Sequence, residues 1–205
     1  HTAQRRRDAA IITRMKTITL TDIARALEAS GTLAAPLPGD AGAVSVTGAS
    51  CDSRSVRPGD LFVCKGAAFR PAFLESALAA GAVAYLCDAA HEGELADRAP
   101  GVPALVASDL RRAMAIASAE AFGHPDRDLP PVGITGTKGK TTTAYMLRSI
   151  VDAARGEKSC GMIGTVETFD GRADEPSRNT TPEAPDLWRH LANAREAGLA
   201  ALVME

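Results

Sequence analysis

Short apolar runs alternate with amphipathic segments along most of this chain, a pattern typical of α/β proteins. The apolar runs predict strands near 44–49, 60–63, 82–87, 104–107, 131–135, 159–168 and 199–204. Apolar residues at helical spacing predict helices near 20–30, 71–80, 109–122, 142–154 and 185–197. In the helix near 142–154, the residues expected on one apolar face are Ala144, Leu147, Ile150 and Val151.

Capping residues support several of these helices. Thr19 or Thr21 can cap the first helix, because a hydroxyl before a helix accepts a hydrogen bond from an otherwise unpaired backbone N–H. Pro71 suits the first turn of the second helix, where its missing N–H costs nothing. Ser108 or Asp109 can cap the helix that follows. These signals are local, so they indicate where helices begin without showing how the helices pack.

The stretch 133–143 reads Gly-Ile-Thr-Gly-Thr-Lys-Gly-Lys-Thr-Thr-Thr and follows a predicted strand. Glycines let backbone N–H groups converge on a phosphate, and a helix N-terminus adds partial positive charge. Lys140 is expected to reach the β- and γ-phosphates, and the Thr141 hydroxyl to ligate Mg²⁺. The common pattern has glycine where this chain has Ile134, so a surface turn is the alternative interpretation. The residues expected to contact nucleotide are Gly136, Thr137, Lys138, Gly139, Lys140, Thr141 and Thr142.

This variant loop resembles that of the Mur ligases, the ATP-dependent amide-forming enzymes of peptidoglycan synthesis. Other segments share the resemblance: Asp-Ser-Arg at 52–54 with Pro-Gly-Asp-Leu-Phe at 58–62, Phe-Gly-His-Pro at 122–125, Asn-Thr-Thr-Pro at 179–182 and Met-Glu at 204–205. Together they are similar to the branch that adds the third residue of the stem peptide. Lys138 departs from the pattern, because the family usually has asparagine there.

The resemblance implies a reaction with ATP and Mg²⁺ as cofactors. The γ-phosphate would pass to the D-glutamyl side-chain carboxylate of UDP-N-acetylmuramoyl-L-alanyl-D-glutamate. The resulting acyl phosphate would be attacked by the amine of an amino acid, giving an amide, ADP and phosphate. Lys140 would be the catalytic residue, because phosphoryl transfer depends on positioning and on neutralising charge.

The resemblance also implies roles for residues outside the loop. Thr141 and Glu205 would be metal ligands, although Glu205 by itself is simply a charged residue after an apolar run. The expected substrate-binding residues are Cys51, Ser53, Asn179, Thr180 and Thr181. Without the resemblance, Ser53 reads as an ordinary loop serine and 179–181 as an ordinary polar turn. Arg54 could pair with Asp52 or Asp60 rather than contact a ligand.

These features predict two α/β domains. Residues 1–14 read as an extension or tag-like tail, and 15–122 as a small N-terminal domain that binds the UDP-sugar. Residues 123–130 contain prolines and charges and read as a linker. Residues 131–205 would form a truncated phosphate-loop, nucleotide-binding domain with a mostly parallel sheet.

Composition narrows the class of protein. A net charge of −2 gives no reason to expect nucleic acid or a membrane surface as partner, and no apolar run has transmembrane length. The four cysteines, at 51, 64, 87 and 160, have no metal-binding spacing and suggest reduced thiols in a cytoplasmic protein. A monomer with UDP-N-acetylmuramoyl dipeptide and an amino acid as its partners is expected.

The resemblance further implies a carbamylated lysine and an amino-acid-binding domain beyond residue 205. On that basis the 205-residue chain is expected to be an incomplete and inactive fragment, and the amino acid that is added cannot be read from it. Two alternatives stay open. One is a related amide ligase, such as a cyanophycin or folylpolyglutamate synthetase, and the other is a non-catalytic nucleotide-binding module.

Overall fold

The computed structural model describes residues 17–37, 39, 41–66, 69–177 and 181–205. These residues form α/β structure, as the sequence pattern predicts, around two larger sheets and one two-stranded sheet. The first sheet uses strands between 48 and 107, and the second uses strands between 131 and 204. No helix among the described residues is both long enough and apolar enough to cross a membrane.

The first half of the chain is built on four parallel strands in the order β3-β4-β5-β6. Its elements are β1 Ile18–Thr19, α1 Leu20–Ala29, β2 Ser45–Val46, β3 Gly48–Ser50, β4 Asp60–Val63, α2 Pro71–Ala79, β5 Ala84–Asp88, α3 Glu92–Arg98, β6 Ala104–Ala107 and α4 Leu110–Ala121. The strands are apolar on both faces because helices cover both sides. Leu61 and Val63 pack with α1 and α4, while Phe62 packs towards α2 and α3.

The second half has a five-stranded sheet in the order β10-β9-β8-β11-β7. Its elements are β7 Pro131–Gly133, α5 Lys140–Arg155, β8 Cys160–Ile163, β9 Glu167–Phe169, β10 Asp174–Pro176, α6 Ala184–Glu196 and β11 Ala201–Met204. Strands β8, β11 and β7 are parallel, and β9 and β10 add an antiparallel hairpin at one edge. The carboxyl ends of β7 and β11 therefore lie side by side.

Two predicted strands are each divided in the structure. The run 44–49 gives β2, which pairs with β1, and β3, which belongs to the first sheet. The run 159–168 gives β8 and β9, which turn back on each other. The pattern of apolar residues does not show a bend between two consecutive strands that are both buried. Each pair of strands was therefore predicted as a single strand. Strand β10 and helix α3 were not predicted at all.

Hydrogen bonds show which of the predicted residues cap helices α1 and α4. The Thr19 hydroxyl accepts a hydrogen bond from the Asp22 backbone N–H, and the Asp22 carboxylate accepts one from the Thr19 N–H. This capping box stabilises the first turn of α1. Asp109 caps α4, whereas Ser108 donates its backbone N–H to the Thr32 carbonyl.

The apolar face of α5 differs from the prediction at one position. Ala144 is buried, and Leu147 and Val151 pack beside it over the second sheet. Ile150, by contrast, is 63% exposed, as is its neighbour Met146 at 61%. The helix also begins at Lys140 rather than near 142, because Gly139 provides its first turn with a left-handed N-cap.

Helix α6 joins the two halves, because it lies against β3 and α4 of the first half. Arg189 of α6 donates hydrogen bonds from its Nη2 to the Ala49 carbonyl oxygen at 2.7 Å and to Asp60 Oδ2 at 2.9 Å. Its guanidinium also lies over the ring of Phe122, 5.5 Å from the centroid. The stretch 123–130, predicted as a linker, contains a 3₁₀ turn at Pro125–Arg127 and the buried Leu129.

Candidate active site

The phosphate loop starts where β7 ends, beside the end of β11. The Ile134 backbone N–H donates to the Met204 carbonyl oxygen at 2.8 Å, which continues the pairing of the two strands. Residue 205 therefore emerges next to the loop. Ligands of parallel α/β sheets bind at this carboxyl edge, so the topology places the loop at a suitable position.

The backbone conformation of the loop requires glycine at two positions. Gly136 has φ 150° and Gly139 has φ 79°, both in a region that side chains disfavour. Gly139 is the N-cap of α5, and no side chain caps the helix there. The first N–H groups of a 16-residue helix consequently face the loop, which suits them to an anion.

The two loop lysines differ in their surroundings. Lys140 is partly buried, and its ammonium donates a hydrogen bond to the Gly136 carbonyl oxygen at 2.8 Å. The ammonium is thus held across the loop whose N–H groups would bind phosphate. Lys138 is exposed. The structure therefore distinguishes the two cations, since only Lys140 is tied to the loop backbone.

The two predicted metal ligands lie together. The Thr141 hydroxyl donates to Glu205 Oε2 at 2.8 Å, although the residues are 64 positions apart in the chain. Thr165, in the turn between β8 and β9, also contacts the Glu205 carboxylate through its N–H and its hydroxyl, both at 3.2 Å. These contacts form a small group of oxygen ligands at the N-terminus of α5.

The chemistry of this group fits a magnesium ion. Mg²⁺ prefers oxygen ligands and is commonly held by one or two carboxylates together with water and substrate phosphates. Thr141 and Glu205 supply a hydroxyl and a carboxylate of that kind. Among the described residues no group of three or more His, Cys, Asp or Glu side chains could hold a metal ion.

A second feature is a cleft of about 290 Å³ between the two halves of the chain. Its lining includes Asp52 and Ser55 from the first half of the chain and Pro182 and Glu183 from the second. The two segments predicted to bind substrate therefore border the same cleft. Its further lining residues are Arg57, Thr168, Asp170, Ala173, Glu175, Pro176, Ser177, Asp186, Arg189, His190 and Asn193.

The residues predicted to bind substrate differ in their exposure to solvent. Cys51 and Ser53 are half-buried in the segment beside the cleft, and Thr181 is exposed just before Pro182. Asn179 and Thr180 lie outside the described residues. Burial, assisted by the nearby Asp186 carboxylate, raises the pKa of the Cys51 thiol to about 11. The thiol is therefore neutral at physiological pH and is a poor nucleophile.

Of its two candidate partners, Arg54 pairs with Asp52. Arg54 donates two hydrogen bonds to the Asp52 carboxylate, at 2.9 and 2.7 Å, in an exposed bidentate pair. Asp60, the other partner considered, binds Arg189 instead. The aspartate of the Pro-Gly-Asp-Leu-Phe segment thus has a structural partner on α6.

Sequence reasoning missed two residues of this region. Thr165 had no distinguishing signal, since a threonine after glycine is common in turns. Asp170 did have one, because Asp-Gly between two β-prone segments is a strong hairpin signal. The Asp170 carboxylate accepts hydrogen bonds from His190 Nδ1 and Asn193 Nδ2, each at 2.7 Å, and so ties the β9–β10 hairpin to α6.

Comparison with known proteins identifies the family to which this chain belongs. Residues 134–205, which include the loop and Glu205, match the family model for the Mur ligase middle domain. A UDP-N-acetylmuramoyl-L-alanyl-D-glutamate–2,6-diaminopimelate ligase of Streptomyces coelicolor is 46% identical over 166 residues, which are 80% of this chain and 32% of that protein. The chain belongs to the Mur ligase family.

Other Mur ligases show comparable similarity. A UDP-N-acetylmuramyl-tripeptide synthetase of Lactobacillus delbrueckii subsp. bulgaricus is 41% identical over 76% of this chain and 30% of its own length. A UDP-N-acetylmuramoyl-L-alanyl-D-glutamate–L-lysine ligase of Streptococcus suis is 39% identical over 76% of this chain and 31% of its own length. The chain thus spans about a third of the length of the curated relatives it matches.

Solved structures of Mur ligases share the fold. A diaminopimelate ligase aligns with a TM-score of 0.58 and 23% identity, over 92% of this chain and 35% of that one. A D-alanyl-D-alanyl ligase of Acinetobacter baumannii aligns with a TM-score of 0.53 and 20% identity, over 93% of this chain and 36% of that one. Both comparisons show that this chain has the Mur ligase architecture over nearly its whole length.

Proposed function

We propose that this chain is part of an ATP-dependent ligase that joins the third amino acid to UDP-N-acetylmuramoyl-L-alanyl-D-glutamate in peptidoglycan synthesis. The observation that carries the proposal is the 2.8 Å contact between Thr141 and Glu205 beside the glycine loop. Residues 15–122 would bind the UDP-sugar, and residues 131–205 would bind ATP. The names of the most similar relatives support this substrate class.

Each residue of the loop has a physical role in this proposal. The backbone N–H groups from Gly136 to Thr142 would bind the phosphates at the helix N-terminus. Lys140, which donates to the Gly136 carbonyl oxygen, would offset charge on the transferred group. Thr141 and Glu205 would hold Mg²⁺, which would offset the negative charge of the phosphates.

The cleft between the two halves would hold the muramyl dipeptide. Hydroxyl and amide groups suit a ligand with carboxylates and a diphosphate. We assign Cys51, Ser53, Asn179, Thr180 and Thr181 to this role. Asp52 and Pro182, the chain neighbours of Ser53 and Thr181, both line the cleft, and this supports the assignment. Bound ATP would supply the phosphoryl group that activates the D-glutamyl carboxylate for attack by the incoming amine.

Phosphate release by the complete protein tests this proposal. We expect release only when ATP, Mg²⁺, the UDP-muramyl dipeptide and an amino acid are all present. Diaminopimelate and lysine are the first amino acids to compare, because relatives of similar identity are named for one or the other. Turnover with a folate substrate, and none with the muramyl dipeptide, would instead indicate a folylpolyglutamate synthetase. Nucleotide binding without turnover on any acceptor would indicate a non-catalytic module.

A further inference from the structure

The turn between β8 and β9 lies directly against the Glu205 side chain. The Thr165 N–H donates to Glu205 Oε1, and the Thr165 hydroxyl contacts Oε2, each at 3.2 Å. The Glu205 backbone N–H donates to the Ile163 carbonyl oxygen at 2.9 Å, which extends the pairing of β11 with β8. Both the backbone and the side chain of Glu205 are therefore held by this one turn.

These contacts determine where the carboxylate lies. Oε2 receives hydrogen bonds from two hydroxyls, those of Thr141 at 2.8 Å and Thr165 at 3.2 Å. Glycine at 164 lets the turn approach this closely, because a Cβ there would stand 2.5 Å from Glu205 Oε1. Without such contacts a glutamate side chain samples several rotamers, and ordering it on binding costs conformational entropy.

We propose that Thr165 is a positioning residue that holds the Glu205 carboxylate beside Thr141 for a bound divalent cation. The inference rests on the proposed function, because it concerns the same magnesium site. Residues that hydrogen-bond a ligating carboxylate orient it, and their loss commonly weakens metal affinity by about 10–100-fold. Thr165 is exposed, so replacing it leaves the core unchanged.

The test is the Mg²⁺ dependence of ATP binding, measured by calorimetry over a series of Mg²⁺ concentrations. Thr165→Val removes the hydroxyl and keeps both the shape and the backbone N–H. We expect it to require about tenfold more Mg²⁺ for half-maximal ATP affinity. Thr165→Ser should recover most of the loss, because it restores the hydroxyl. Thr21→Val, which removes a hydroxyl bonded to the Gly42 carbonyl in the first half, is the matched control and should titrate as the parent does.

Two further results separate this inference from the proposed function. Glu205→Gln should shift the Mg²⁺ dependence if the carboxylate is a ligand. If Glu205→Gln shifts it and Thr165→Val does not, the positioning role is wrong and the magnesium site stands. If the parent binds ATP without any Mg²⁺ dependence, both the site and the positioning role are wrong. A Thr165→Val effect that Thr165→Ser does not reverse would also overturn the inference, because the hydroxyl would then not be its cause.

Discussion

At the scale of single residues, the first two side chains of α5 have different partners. Lys140 donates to the Gly136 carbonyl oxygen within the loop, whereas Thr141 donates to Glu205 at the end of β11. A lysine held over its own loop is already near the phosphate position that we propose. The cost of placing a flexible ammonium is thereby reduced before any ligand arrives.

We predict that Lys140→Ala weakens ATP binding and abolishes turnover while leaving the fold intact. A charge-assisted hydrogen bond is worth about 1.5–3 kcal/mol, and the loss should be larger where charge develops in the transition state. Calorimetry with Mg-ATP and phosphate release measure the two effects. Arg155→Ala is the matched control, because it removes one positive charge from the far end of the same helix. A large fall in the ligand-free melting temperature of Lys140→Ala would recast Lys140 as a structural residue.

At the scale of elements, the β9–β10 hairpin is joined to α6 by one buried carboxylate. Asp170 Oδ1 accepts from the backbone N–H groups of Arg172 and Ala173, at 2.9 and 2.7 Å, which shapes the turn. Oδ2 accepts from His190 and Asn193 of α6. Burial alone would raise the Asp170 pKa, but the hydrogen bonds from His190, Ala173 and Asn193 outweigh it and lower the pKa to about 2.

We predict that Asp170→Asn lowers the free energy of unfolding by about 2 kcal/mol near neutral pH. The folded-state pKa is below the unfolded value, so the ionised carboxylate stabilises the fold above about pH 4. That contribution is lost as pH falls through about 2, where Asp170 becomes protonated in the folded protein too. The difference between parent and variant in urea unfolding should therefore shrink below about pH 4.

Asp174→Asn is the control for this experiment. Asp174 lies in the same hairpin, but its side chain is 56% exposed and pairs with Lys158 at the surface. Its replacement should change the free energy of unfolding by less than about 1 kcal/mol. A difference between the parent and Asp170→Asn that is as large at pH 2 as at pH 7 would contradict the assignment.

At the scale of the whole molecule, the two halves meet through a buried ion pair. The side chains of Asp60 and Arg189 are 2% and 11% exposed, and their charged atoms lie 2.9 Å apart. Asp60 also accepts a hydrogen bond from the Arg57 N–H at 2.9 Å, and Arg189 donates to the Ala49 carbonyl. The pair therefore connects the start of β4 with a helix more than 120 positions later.

We predict that Arg189→Met lowers the free energy of unfolding by about 3–5 kcal/mol, because it leaves the Asp60 carboxylate buried without its cation. Adding Asp60→Asn should cost less than the sum of the two single changes, because the buried charge is then gone. Denaturant unfolding of the two single variants and the double variant gives this coupling. Arg54→Met is the matched control, since its pair with Asp52 is exposed to solvent and should contribute little to stability. Equal effects of Arg189→Met and Arg54→Met would show that burial of the pair is unimportant.

Features that depend on neighbouring residues follow from the amino-acid sequence without knowledge of the fold. Helix caps and a first-turn proline act within one helical turn. The sequence offered two candidates for each cap, and the structure uses Thr19 and not Thr21, and Asp109 and not Ser108, while the proline starts α2 as predicted. The glycine loop from Gly136 to Thr141 is of the same kind, because its residues are contiguous, although the helix begins at Lys140 and not near 142 as predicted. Alternating strands and helices also sufficed to predict the α/β class.

Which distant residues meet depends on how the whole chain folds. Thr141, Thr165 and Glu205 converge because parallel strands bring their carboxyl ends to one edge of the sheet, and strand order is not written in any local pattern. Asp60 could have bound Arg54 a few residues away, yet it binds Arg189 because α6 packs on β3 and buries that pair. Apolar periodicity indicates which residues are buried, but not which element covers them. The bends between strands, the pairing of strands and the partners of charged groups are therefore known only from the folded chain.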